Sequence, residues 1–502
     1  YQDVRGRWMS EGEFVQMRPH LVNKRAQDID ESTDAWDTVD WLVKHVTGNN
    51  GRVGIAGISY PGFYTAAGII DSHPAIKAAS PQAPVNDWFM GDDWHHNGAF
   101  FLAHMFNWMS RNGRERPVPT KDIDVTFDYG TPDGYEFYRR IKTLSEIDSK
   151  YLKGEVEFWN ETLKHGVYDE FWKSRNIRPH LKNIRPAVLT VGGWFDAENL
   201  FGALETYKHI EAQNPKTSNT LVMGPWRHGG WARGDGDFFG DIPFNSKTAE
   251  FYREHIEFPF FQKHLKGKNP GDQKEWDVPE AWVFETGTNR WQKYDHWPPR
   301  QARPQSLYFH PGGRLAMSPP ADSAADRGNS GYDEYLSDPN KPVPFTDKIT
   351  KGMVAEYMIG DQRFAARRSD VLVYQSDELA EDVTLAGPIE VELIVSTTGT
   401  DSDWVVKLID VYPDDYPDSV ENPREVRMGG YQQLVRGDVM RGKFRKSFEK
   451  PEAFKPGEKT VVRFTMPDTC HSFRSGHRIM VQVHSSWFPL VDRNPQKFLD
   501  IY

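Results

Sequence analysis

A short apolar run, Val53-Gly54-Ile55-Ala56, leads straight into Gly57-Ile58-Ser59-Tyr60-Pro61-Gly62 and then into small apolar residues over 63–70. The run is partly β-branched and unbroken, as expected of a parallel strand covered on both faces. The small residues beyond the serine can form a helix packed closely on the strand it leaves. A strand that reverses into a helix within so few residues needs a tight turn, and glycines at 57 and 62 admit one without Cβ clashes. Upstream, Trp36, Val39, Val43 and Val46 recur at helical spacing, with Ser32, Thr33 or Asp34 as candidate caps and Gly48 as a stop. Helix, strand, turn and helix form a βαβ pattern, and its strands return at 187–191 and 220–223. Both later runs end in glycine and a polar, aromatic-rich loop.

With 502 residues the chain has room for about three structural units. The texture divides it accordingly. Residues 1–84 and 182–277 read as two parts of one α/β core. Residues 85–181, rich in Trp, Phe, His and charge and poor in β-branched alternation, read as an inserted helical cap. From 278 to 502 the pattern becomes alternating strands and Pro- and Gly-rich turns, the signature of an antiparallel β-sandwich, with a jelly roll expected. No repeat of about 20 to 50 residues is visible.

An acyl-transfer serine needs a base and an exposed position, because a hydroxyl is a poor nucleophile at neutral pH. The turn around Ser59 supplies the exposure, and the backbone N–H of Tyr60 would face a developing oxyanion. Pro61 stands where G-x-S-x-G has its second glycine, so the motif alone reads equally as an ordinary strand-to-helix turn. Asp196, after the run ending at Gly193, and His228, after the run ending at Gly224, raise its weight. Alone, each would pass for a turn residue or a satisfied loop histidine. Together they follow the order Ser, Asp, His, each just past the carboxyl end of a strand, as in α/β hydrolases. The expected roles are Ser59 as nucleophile, His228 as general base and then acid, and Asp196 as the group that orients the imidazole.

The runs Gln2 to Arg7 with Ser10-Glu11-Gly12, Gly57 to Gly62, Gly91-Asp92-Asp93-Trp94-His95, Gly193 to Glu198 and Pro225 to His228 resemble those of the α-amino acid ester hydrolases. These belong with the cocaine esterase and X-prolyl dipeptidyl-peptidase group. The resemblance covers nearly the whole chain and implies an α/β-hydrolase core, an inserted helical cap and a C-terminal jelly roll. It implies hydrolysis or transfer of acyl groups from α-amino acid esters and related amides, including β-lactam side chains, without a cofactor. It implies a carboxylate cluster for the substrate ammonium, which falls on Asp93 and Glu198, while the third family carboxylate falls on Asn199, an amide. A second oxyanion donor, a tyrosine from an early strand, is expected upstream of Tyr1. The sequence thus reads as a fragment lacking the first strands and any signal peptide, and ending short of the last β strand. The resemblance favours a periplasmic or secreted protein. An X-prolyl dipeptidyl-peptidase and a glutaryl-cephalosporin acylase are the alternatives with the same triad, and a non-catalytic carbohydrate-binding protein is the alternative from another class.

The net charge of −11, from 61 basic and 72 acidic residues without a basic stripe, speaks against nucleic acid or an anionic membrane as partner. No apolar run approaches the roughly 18 residues of a membrane span. A small-molecule ester or amide is the expected partner, and association into a homo-oligomer is left open. The single cysteine, Cys470, excludes an internal disulfide and reads as a small buried hydrophobe. Asp235, Asp237 and Asp241 have carboxylate spacing but lack an EF-hand's closing glutamate. There is no H-E-x-x-H, and Asn160-Glu161-Thr162 reads as an accidental sequon, so no metal is expected.

Overall fold

The computed structural model describes residues 1–116, 118–121, 126–266, 278–320, 331–420 and 425–499. Its N-terminal half opens with α1 (Glu31–His45), β1 (Val53–Ile58), α2 (Tyr60–Gly68) and β2 (Ile76–Gln82). The cap of α1 is Asp30 rather than Ser32, Thr33 or Asp34. Its carboxylate accepts from the N–H groups of Ser32 and Thr33, and Thr33 closes a capping box on the Asp30 backbone.

The chain then leaves the core through a small hairpin, β3 (His95–His96) and β4 (Ala99–Phe100). Five helices come next: α3 (Leu102–Asn112), α4 (Gly134–Arg139), α5 (Ser145–Ile147), α6 (Glu157–Lys164) and α7 (Glu170–Lys173). Trp94, Phe106, Trp159 and Trp172 are buried within this cap, which explains its aromatic content. The core resumes with β5 (Ala187–Gly193), α8 (Leu200–Gln213), β6 (Asn219–Gly224), a small hairpin of β7 (Phe238–Phe239) and β8 (Ile242–Pro243), α9 (Thr248–Tyr252) and α10 (Phe258–Phe261). Two strands complete it, β9 (Ala281–Glu285) and β10 (Arg290–Tyr294).

The six core strands stand in the order β1-β2-β5-β6-β9-β10, parallel from β1 to β9 and antiparallel at β10. Side-chain alternation sorts their residues to two faces. Leu221 and Met223 join the cluster that includes Leu204 and Tyr207 of α8, whereas Val222, between them, joins Tyr252 and Phe260 of the helical segment 248–266. Both faces are therefore covered at the sheet's centre, where β5 and β6 are buried along their length, whereas β1, expected to be covered on both faces, is an edge strand that is only partly buried, with Ala56 exposed. The change of texture read at residue 278 does not coincide with the end of this sheet. Strand β9 is buried along its length on β6, and β10 turns back on it as a hairpin. That hairpin resembles the alternating strands of the β domain, which is why the sequence places it with them.

The C-terminal β domain contains β11 (Tyr308–His310), β12 (Arg314–Ala316), β13 (Leu372–Gln375), β14 (Val383–Val395), β15 (Asp403–Val411), β16 (Gln432–Arg441), β17 (Thr460–Phe473) and β18 (Arg478–His484). Six form a sheet in the order β11-β12-β13-β18-β15-β16, and β14 pairs with β17 along nearly its full length. Cys470 lies buried on β17. Among the described residues no helix is long and apolar enough to cross a membrane.

This domain is fastened to the cap by a buried ionic knot. Arg441, at the end of β16, donates to Asp403 at 2.8 and 3.0 Å and to Asp492 at 2.6 and 3.1 Å. Asp492 exchanges two hydrogen bonds with the backbone of Phe100 in β4. Asn494 donates to Asp403 and Asp401, and burial together with the Asp403 charge raises the Asp401 carboxyl to about 6. Removing the guanidinium would strand two buried carboxylates, so Arg441→Met is expected to destabilise the protein by about 3–5 kcal/mol, read as a shifted denaturation midpoint.

Candidate active site

Ser59 sits between β1 and α2 with φ 70° and ψ −128°, backbone angles that a non-glycine residue adopts only under constraint. The constraint is visible on both sides. Its N–H donates to Gln82 O at the end of β2 (2.9 Å), and its carbonyl accepts from Phe63 N (3.0 Å). A Cβ on Gly62 would stand 2.5 Å from Gln82 O, and one on Gly57 would strike the Pro61 carbonyl. Pro61 occupies the first turn of α2, where a missing N–H leaves nothing unsatisfied. The departure from G-x-S-x-G is thus compatible with the turn.

Tyr60 opens α2, so its N–H has no partner within the helix and remains at the Ser59 turn. Its side chain points elsewhere: the hydroxyl donates to Gln16 Oε1 (3.1 Å) and accepts from Met17 N (2.5 Å), fastening α2 to the N-terminal segment.

Asp196 and His228 meet because the loops after β5 and β6 touch. Trp194 N and Phe195 N donate to the carbonyls of Gly224 and Trp226, and any side chain at Gly193 would collide with Trp226. The Asp196 carboxylate is buried and accepts the backbone N–H groups of Glu198 and Asn199, both at 2.9 Å. His228 Nδ1 stands 2.9 and 3.0 Å from its two oxygens. With an ionised acid on that side, the Nδ1 proton is fixed and Nε2 is turned toward the rim, 3.5 Å from Glu198 Oε2. The next residues join this loop to the serine turn: the Cβ position of Gly229 lies 3.8 Å from Ile58 Cγ2, and Trp231 Nε1 donates to Gln82 Oε1 (2.6 Å). Among the described residues the Ser59 hydroxyl has no hydrogen-bond partner.

The three residues expected to receive a substrate ammonium also come together. Asp93 Oδ2 accepts from Asn199 Nδ2 (2.8 Å) and Trp88 Nε1 (3.1 Å), while Oδ1 faces His104 Nε2 at 3.2 Å. One atom each of Asp93, His104 and Glu198 lies within 4.8 Å of the others. Such spacing suits a small cation. His104 Nε2 also faces Asp93 Oδ1 within hydrogen-bond distance, so a proton on that nitrogen would compete with any such cation. Asp92 accepts from the N–H groups of Asn86, Asp87 and Gly202 and from Asn199 Nδ2 (3.4 Å), pinning the start of the cap to α8. Elsewhere, Asp235 pairs with Lys247 and Asp241 accepts from Tyr431, so these acids serve local contacts.

Nothing in the sequence singles out His104. It lies eleven residues beyond Asp93, on a helix whose inward face is otherwise apolar, and only the β3–β4 hairpin folds it back. No spacing rule signals such a pair.

The electrostatics follow from burial and proximity. Burial pushes the Asp92 carboxyl well up, and the neighbouring Asp93 charge adds to this. For Asp93 burial acts upward too, but the hydrogen bond and charge of His104, then Asn199, hold it below the usual carboxylate range. Burial raises Glu198. Burial opposes the His228 imidazolium, yet the charge and hydrogen bond of Asp196, followed by Glu198 and Asp93, outweigh it and lift the group above its ordinary value. In a histidine NMR titration, His228 is therefore expected to lose its proton above the free value of about 6.5, and Glu198→Gln is expected to move that midpoint down.

Comparison with known proteins identifies the family to which this fold belongs. The X-Pro dipeptidyl-peptidase (S15 family) sequence model matches residues 1–230, and the X-Pro dipeptidyl-peptidase C-terminal non-catalytic domain matches 275–498. Cocaine esterase from Rhodococcus sp. (strain MB1 Bresler) is 28% identical over 98% of this chain and 81% of its own. An α-amino acid ester hydrolase structure superimposes with a TM-score of 0.90 at 36% identity, covering 99% of this chain and 79% of that one. An aminopeptidase from a marine sediment Thaumarchaeota archaeon gives 0.89, also at 36% identity and with the same coverage. The core, cap and β domain described above are the parts of that fold, and the chain belongs to the α-amino acid ester hydrolase, cocaine esterase and X-prolyl dipeptidyl-peptidase family of serine hydrolases.

Proposed function

We propose that this serine hydrolase acts on acyl donors bearing a free α-ammonium, cleaving or transferring the acyl group of α-amino acid esters and related amides, β-lactam side chains among them. The observation that carries the reading is the position of Glu198 and Asp93. Glu198 Oε2 is 3.5 Å from His228 Nε2, and Asp93 lies in the same cluster, so anionic groups border the place where an acyl carbon would be attacked. Placing an ammonium in a buried pocket is strongly unfavourable unless negative charge receives it.

In the proposed reaction Ser59 Oγ attacks the acyl carbonyl while Nε2 of unprotonated His228 takes its proton. Asp196 holds the imidazole by Nδ1 and stabilises the cation that forms. The Tyr60 N–H donates to the oxyanion of the tetrahedral intermediate. Collapse releases the alcohol or amine, protonated by His228, and leaves the acyl group on Ser59. Water, deprotonated by the same nitrogen, then attacks the ester and frees the acid.

The aminopeptidase neighbour and the S15 match support an amide-cleaving variant of the same scheme, in which a peptide's amino terminus occupies the ammonium position. A glutaryl side chain would instead bring a carboxylate toward Asp93 and Glu198, which repel it.

Ser59→Ala is expected to lower kcat/KM for p-nitrophenyl acetate by a factor of about 10⁴ to 10⁶, and retention of turnover would refute the nucleophile. Asp93→Asn and Glu198→Gln are each expected to reduce the preference for phenylglycine methyl ester over phenylacetic acid methyl ester by at least about 30-fold, the equivalent of roughly 2 kcal/mol for breaking a buried charge pair. An unchanged preference would refute the ammonium site.

A further inference from the structure

A pocket that receives an ammonium through carboxylates ordinarily offers them unneutralised, but here a histidine already stands among them. His104 Nε2 faces Asp93 Oδ1 at 3.2 Å, while the other Asp93 oxygen takes N–H bonds from Asn199 and Trp88. His104 is buried to 8% exposure, and one of its ring nitrogens lies within 4.8 Å of carboxylate oxygens of both Asp93 and Glu198. The charged groups that face it come from three elements: Asp93 on the segment before β3, Glu198 on the segment before α8, and His228 after β6. The two acids favour its imidazolium and His228 opposes it. Burial acts against the charged form, but the acids outweigh burial and raise the group above its ordinary value. A proton on His104 would therefore partly neutralise the two acids before any substrate arrives.

We infer that His104 is a specificity-determining residue, a resident cation whose proton competes with the substrate's α-ammonium for Asp93 and Glu198. The inference rests on the reading of those two acids as the ammonium site and adds the regulation of that site. Protonated His104 reduces the charge that the pair of acids offers, so the preference for ammonium-bearing donors is smaller. Loss of its proton exposes the full negative charge, and the preference for ammonium-bearing donors grows. Asn199 sharpens this effect, because an amide at the third position supplies an N–H to Asp93 and no compensating charge.

Binding and protonation at mutually repelling sites are reciprocal, so the coupling is measurable from either side. Benzylammonium and benzyl alcohol are compared as competitive inhibitors of p-nitrophenyl acetate hydrolysis between about pH 6 and pH 8, a range in which the ammonium keeps its proton. In the wild type the ammonium-over-alcohol preference is expected to rise about 5- to 100-fold across that range, whereas in His104→Gln, which keeps an N–H for Asp93 without the charge, it starts high and changes less than about threefold. The residual slope belongs to Glu198 and His228. In the wild type alone, saturating benzylammonium is expected to lower the His104 midpoint in a ¹³C-histidine NMR titration, and benzyl alcohol to leave it in place. This second measurement decides the matter if the variant does not fold, which its thermal melt would show.

Equal slopes in both proteins, or an unmoved His104 midpoint, would overturn the inference. If benzylammonium is strongly preferred and Asp93→Asn removes that preference while the slopes are equal, His104 alone is wrong. If benzylammonium binds no better than benzyl alcohol at any pH, the ammonium site falls and this inference falls with it.

Discussion

Buried carboxylates satisfied in large part by distant segments of the chain hold this structure together. Asp87 is met by Arg178 and Tyr168, Asp92 by three backbone amides from the cap and α8, and Asp403 and Asp492 by Arg441. Asp410 in the β domain lies between His471 and His477. A charge taken out of water without a partner costs several kcal/mol, so each acid fixes the elements that supply its donors. Several of these contacts lie at junctions between core, cap and β domain, and thereby set how those parts meet.

The candidate active site is arranged by the same constraint. The loop carrying Asp196 is held by its own backbone amides and also from the β domain, where buried Arg436 donates to the carbonyl of Trp194 (2.9 Å) and to that of Asp468 (3.1 Å). Lys208 of α8 pairs with the Asp468 side chain across the same seam. The β domain thus positions the acid loop without contributing a member of the Ser59, His228 and Asp196 group. Above it, the cap brings Asp93, Trp88 and His104 to the rim, and the apolar packing of the cap limits how far those groups can relax.

The local features are legible in the residues alone. A short apolar run, a glycine-flanked serine and a small-residue stretch dictate a strand, a sharp turn and a helix, because few backbone paths connect them. The runs at 187–191 and 220–223 place Asp196 and His228 on loops at the same end of neighbouring parallel strands. The cap of α1 is ambiguous by a few residues because Ser32, Thr33 and Asp34 all have capping side chains, and burial of Asp30 beside Lys24 and His20 overrides all three. The last core strands fall on the wrong side of a texture change because a hairpin at a sheet edge has the same alternation whichever sheet it extends.

The sequence by itself determined the candidate reacting groups and the order of the elements that carry them, since both follow from residue type and short-range periodicity. Only the tertiary structure decided which charges neutralise which. His104 reaches Asp93, Arg441 reaches Asp403 and Asp492, and Glu198 reaches His228 through contacts among segments that periodicity does not connect. The physical reason is range: hydrogen-bonded turns and apolar faces are settled within a few residues, whereas the energy of a buried charge depends on whatever the whole fold sets beside it.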